Sequence, residues 1–148
     1  MRPGEAVFLL DVNVLIALGD PHHVHHLKVA DWFTRHRTTG WATCPLTENG
    51  YLRILGHPKY PDGPGSPQAA RLLLKQQVAE PGHQFWPDSF SLVDVAAYPT
   101  LPGSKALTDY YLLGLALSHS ARLATLDRRI DPSLIPGGPN AFALIVEG

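Results

Sequence analysis

The chain has 148 residues, 45% of them hydrophobic and 17% charged, with a net charge of −1; this suits one soluble globular domain over 1–148 and excludes a disordered chain. A sequence pI of about 6.7 excludes wholesale capture of nucleic acid by a basic surface, so such contact must come from a local patch or a bound cation. The lone Cys44 excludes an internal disulfide or a cysteine-rich zinc site, and the lack of a leader-like or membrane-length apolar run gives a cytoplasmic expectation with no membrane partner.

The first predicted element is the continuous apolar run Ala6 to Leu10, which suits a strand covered on both faces of a parallel sheet. Asp11 ends it, and a helix is expected over Val12 to Leu18. A second helix follows Pro21 and the histidine stretch, with Val24, Leu27, Ala30 and Phe33 as its apolar stripe. Trp41 to Thr43 reads as a short strand, and Pro45 as the first-turn proline of a helix reaching Leu55. Pro and Gly make 57–67 a loop. Gln68 to Val78 reads as a helix with Ala69, Leu72, Leu73 and Val78 inward. The stretch 84–92 is expected to be a strand and turn, Ala106 to His119 a helix, Arg122 to Leu126 a strand and Ala141 to Val146 a last strand. Strands alternating with helices predict an α/β fold with a mainly parallel central sheet and helices on both faces.

In such a sheet, ligands bind at the carboxyl ends of the strands. Two apolar strands end in acids, at Asp11 and Asp127. For either acid alone, capping the following helix or turn is a sufficient explanation. Glu48 shares a helical stripe with Leu52 and Leu55, and Asp109 with Leu112, Leu113 and Ala116. A first-turn acid pointing to solvent is the alternative for both. Together the four predict a cluster. Two unit charges about 4 Å apart repel by about 4 kcal/mol at an effective dielectric of 20, so four carboxylates need a compensating cation. Oxygen donors without Cys or His suit Mg²⁺ or Mn²⁺ rather than zinc. Such an ion can activate water and neutralise phosphate charge, which points to phosphodiester hydrolysis.

These motifs carry a family resemblance. Phe8 to Leu18, with Asp11 and Asn13, resembles the opening motif of PIN-domain nucleases. Leu46-Thr47-Glu48-Asn49-Gly50 resembles their second motif, Leu107-Thr108-Asp109-Tyr110-Tyr111-Leu112 the third and Leu123-Ala124-Thr125-Leu126-Asp127-Arg128 the fourth. Size and motif order look most like the VapC toxins of bacterial toxin–antitoxin pairs. The resemblance implies a three-layer α/β/α fold and a Mg²⁺- or Mn²⁺-dependent endoribonuclease. It implies that Asp11, Glu48, Asp109 and Asp127 are the catalytic and metal-holding residues, supported through hydrogen bonds by Asn13 and Thr125. It further implies an RNA substrate, a homodimer and a cognate antitoxin whose C-terminal segment enters the acidic pocket.

Other residues and functions stay open. Arg128 and Arg129 are candidates for RNA phosphate contacts, because Arg grips phosphate oxygens bidentately; Arg53, Lys59 and Lys105 are further ones. His22 and His26, four apart, could share a helix face and hold zinc, although no acid completes such a motif. Trp32, Trp41 and Trp86 suit the core. The Pro58 to Pro67 stretch is expected to alter the rim of the site. Rival functions are a PIN-type RNA-processing nuclease without an antitoxin, a non-catalytic interaction module and a phosphatase of the haloacid dehalogenase type. The phosphatase wants a second Asp two positions after the first, where this chain has Asn13.

Overall fold

The computed structural model describes residues 6–146. The alternating elements form β1 (Phe8–Leu10), α1 (Val12–Gly19), α2 (His26–His36), β2 (Trp41–Thr43), α3 (Pro45–Leu55), α4 (Pro67–Val78) and β3 (His83–Phe85). A long connection then leads to α5 (Leu107–Ser118), β4 (Arg122–Thr125) and β5 (Phe142–Leu144). All pairings are parallel, in the order β3-β2-β1-β4-β5. The α/β expectation holds, and the first-made strand occupies the centre of the sheet.

Period-two alternation divides the strands between two cores. Phe8, Leu10, Trp41 and Ala124 face α1, α2 and α3, where Val14, Leu15, Phe33, Tyr51 and Leu55 are buried. Leu9, Ala42 and Leu123 face α5, where Tyr110 to Ala116 form a nearly unbroken buried run. Each fully buried Leu contributes about 1.5–3 kcal/mol. Helix α5 also needs Gly114: a Cβ there would collide with the Tyr98 ring, whose hydroxyl donates to the Tyr111 carbonyl at 3.0 Å. That bond pins the connection after β3 against the second face.

Two helical faces differ from the sequence expectation. Phe33 is buried as expected, but Val24 and Leu27 are 85% and 83% exposed, and Val29 is the second residue that α2 buries. Val24 lies in the turn before the helix, so a stripe counted from it starts in the wrong register. Helix α4 buries Ala70 and Leu74, while Leu72 is 64% exposed. Three successive leucines cover most of a turn and leave the inward direction undetermined by pattern alone. Trp41 and Trp86 are core residues, and Cys44 is fully buried.

The helix starts are locally encoded. Asp11 caps α1 by accepting from Val12 N at 2.8 Å. Ser66 caps α4 through Ala69 N, and proline fills the first position of α3 and α4, where its missing N–H is harmless. The 58–67 loop is anchored by Tyr60, whose hydroxyl donates to Asp20 at 2.6 Å. Asp20 follows α1, about 13 Å along the helix from Asp11, so the loop sits at the far end of α1 rather than on the rim of the acids. Among the described residues, no helix is long and apolar enough to cross a membrane.

Candidate active site

The carboxyl ends of β1 and β4 build the first half of the site. Because β1 and β4 pair in parallel with Leu10 opposite Ala124, Asp11 and Thr125 emerge side by side. Asp11 N donates to the Ala124 carbonyl at 3.0 Å. The Thr125 hydroxyl donates to Asp11 Oδ2 at 2.7 Å and accepts from Asn13 Nδ2 at 3.3 Å and Asp127 N at 3.1 Å. Asn13 Oδ1 in turn accepts from Leu126 N at 3.2 Å. One buried hydroxyl therefore orients the Asp11 carboxylate and the Asn13 amide and anchors the backbone at Asp127. Asn13 is fully engaged as a strut, which does not favour the phosphatase reading.

Asp11 is 5% exposed. Burial raises its pKa, against the lowering effect of the Thr125 and Val12 hydrogen bonds, and the charge of Asp127 adds to the rise. Asp109, on the first turn of α5, is pushed up to about 6 by burial first and then by the charges of Asp11 and Asp127. Asp127 goes the other way, because Arg129 clasps it: Arg129 Nε meets Oδ1 at 3.0 Å and Nη2 meets Oδ2 at 3.1 Å. Asp109 and Asp127 open together onto a cavity of about 170 Å³ that Lys105, Arg129 and Ile130 also line.

Glu48 enters from the other flank of β1. Its Oε2 accepts from the Thr43 hydroxyl at 2.7 Å, at the carboxyl end of β2. His83 Nε2 lies 2.8 Å from the same Thr43 oxygen. Since that hydroxyl donates to Glu48, the imidazole supplies its Nε2–H to Thr43. Burial lowers the His83 pKa, with Glu48 opposing. Helix α3 comes close to α1 because position 50 is glycine: a Cβ there would stand 2.7 Å from Val12 Cγ2. Gly50 thereby carries Glu48 toward the β1 end, one residue past Asp11.

The structure thus brings Asp11, Asp109 and Asp127 within mutual electrostatic reach, with Glu48 of α3 held at the adjoining end of β2 by Thr43. Among the described residues, no three carboxylate, imidazole or thiol groups already stand close enough to enclose a cation. Asp109 and Asp127 frame an opening. The donor set of the four acids still fits a hard divalent ion: all are oxygens, and burial first, with the neighbouring carboxylate charges adding to it, raises the pKa of Asp11 and Asp109.

Arg128 is exposed beside this opening, whereas Arg129 is engaged with Asp127. Lys105 lines it too; Arg53 and Lys59 line a different hollow with His57 and Tyr60. His26 is turned to the Ala17 carbonyl, Nδ1 to oxygen 2.7 Å, and does not join His22 in a metal site among the described residues. Sequence reasoning missed Thr43, His83 and Gly50. The signal for Thr43 was available: like Thr125, it ends a strand flanking β1.

The PIN domain family pattern matches residues 8–132. The chain is similar to Ribonuclease VapC38 of Mycobacterium tuberculosis (strain ATCC 25618 / H37Rv), with 45% identity over 120 residues, 80% of this chain and 84% of that protein. It is also similar to Ribonuclease VapC44 of strain CDC 1551 / Oshkosh, 40% identical over 131 residues, covering 87% of this chain and 92% of the relative. Ribonuclease VapC39 of the same strain is 40% identical over 131 residues, with 87% and 94% covered.

Proposed function

The chain belongs to the PIN-domain family, and from that membership we propose that it is an endoribonuclease toxin of the VapC type. In this reading Asp11, Glu48, Asp109 and Asp127 hold Mg²⁺ or Mn²⁺. PIN-domain ribonucleases are generally dependent on divalent metal. The toxin is silenced by a cognate protein antitoxin and works as a homodimer. The observation that carries the reading is the Thr125 hydroxyl, which ties the Asp11 carboxylate to the backbone of Asp127 across two parallel strand ends.

When bound, the divalent ion supplies Lewis acidity toward the phosphodiester and an activated water. The chain's own residues prepare the place. Thr125 and Val12 N fix the direction of the Asp11 carboxylate, so little reorganisation remains when the ion arrives. Thr43 fixes Glu48 on the opposite flank. Lys105, Arg128 and Arg129 bring positive charge to the same edge, where an RNA phosphate must approach four acids.

Purified protein is expected to cut RNA with Mg²⁺ or Mn²⁺ and to stop with EDTA. Asp11→Asn is expected to remove cutting while circular dichroism and thermal unfolding report an intact fold. Cutting by the Asp11→Asn chain at the parent rate would overturn the assignment of the acids.

A further inference from the structure

A second cavity, of about 300 Å³, adjoins the acids without including them. Leu46 of α3 lines it, two residues before Glu48, and so do Leu107 and Thr108 of α5, just before Asp109. Residues one or two apart on a helix face different directions, so this space opens beside the acidic centre rather than into it. Phe90 and Tyr111 complete walls that are mostly apolar and aromatic.

Two polar groups of this cavity, at Tyr111 and Asp88, take no part in the acidic site. The Tyr111 hydroxyl is buried beside the Phe90 backbone and makes no well-placed hydrogen bond. Buried polar groups are nearly always paired, so this hydroxyl has hydrogen-bonding capacity left over. Its pKa is raised by burial first and next by the charge of Asp88, which places that carboxylate close by. Asp88 is exposed and has no cationic partner among the described residues.

We propose that this cavity is a base subsite that receives an unpaired guanine of the RNA substrate, a reading that rests on the nuclease function above. The occupant cannot be phosphate, because Asp88 would repel it. Apolar and aromatic walls suit a splayed-out base, which is how single-stranded RNA is commonly read. An ionised carboxylate only accepts hydrogen bonds. Guanine is the base whose pairing edge presents two adjacent N–H donors, N1–H and N2–H, to a single carboxylate. Its O6 then accepts from a hydroxyl, and Tyr111 and Thr108 each offer one. Uracil presents a single N–H between two carbonyls and fits the carboxylate poorly.

The test uses a short fluorescein-labelled oligouridine carrying one guanosine, bound by the Asp11→Asn chain so that the RNA stays whole. Replacing guanosine by inosine removes only the 2-amino group. The expected result is about tenfold weaker binding for the Asp11→Asn chain and no inosine penalty once Asp88→Ala is added. Tyr111→Phe should unfold at the same or a higher temperature, since it deletes a buried, poorly paired hydroxyl, yet bind the guanosine RNA several-fold more weakly. An inosine penalty that survives Asp88→Ala overturns the subsite. So does unchanged RNA binding in both variants accompanied by lost binding of an antitoxin protein, which would make the cavity a protein-docking site. Failure of the parent chain to cut any RNA would sink the nuclease reading, while the binding comparison still decides the cavity.

Discussion

Two buried threonines end the strands on either side of β1, and each donates its hydroxyl to an acid at 2.7 Å. Their settings differ. Thr125 serves Asp11, Asn13 and Asp127 at once, and its acid is 5% exposed. Thr43 serves Glu48 alone, with His83 behind it, and Glu48 remains half-buried. The same device holds a strand-borne acid rigidly and a helix-borne acid more loosely. The strand half of the site is fixed by sheet register, whereas the helix half depends on how α3 and α5 pack.

Thr125→Val is the strongest way to break that contrast. It strands a buried carboxylate, so about 1–3 kcal/mol of stability should go, measured by urea unfolding. RNA cutting should fall about 10- to 100-fold, as is typical when a group that orients a metal ligand is lost. Gly50→Ala comes next: its Cβ meets Val12, and the strain should cost about 1–3 kcal/mol. Adding Val12→Ala should restore part of both stability and cutting, which a general helix effect would not do. Thr43→Val should be milder in stability, below about 1 kcal/mol, because Glu48 can regain water. Cutting should still drop, since the carboxylate loses its fixed direction. Equal losses for Thr43→Val and Thr125→Val would remove the distinction between the two halves.

The smallest effect is one of slope. Asp109 has a folded pKa of about 6, above its ordinary value of 3.8. Between those values the folded state holds more proton than the unfolded one, so this group lowers stability as pH rises from about 4 to about 6. In EDTA, the melting temperature of the parent should therefore decline over that window relative to Asp109→Asn. Divalent-ion affinity, read by calorimetry, should rise over the same window, since proton and cation compete for one carboxylate.

How far the sequence speaks depends on which forces set each position. Asp11 and Asp127 stand out because apolar strands end beside them, and Glu48 and Asp109 because they share a stripe with buried leucines. The α5 core is plain, since its apolar run leaves no other face. The inward sides of α2 and α4 are not plain: the true stripe Val29–Phe33 begins after a turn, and Leu72 to Leu74 offers three directions. The clasp of Arg129 on Asp127 depends on how the chain turns after β4. Thr43 and His83 become partners only through β2–β3 pairing, which adjacent residues do not encode.

The strand order has a consequence for biosynthesis. The centre of the sheet is made before its neighbour β4, which carries Thr125, leads to Asp127 and follows all five α-helices. A nascent polypeptide halted anywhere before β4 lacks the hydroxyl that orients Asp11. If Asp11 and Asp127 belong to the cutting centre as proposed, a ribosome translating this message holds no assembled centre until β4 has been made, and the order of manufacture itself delays any hazard to RNA nearby.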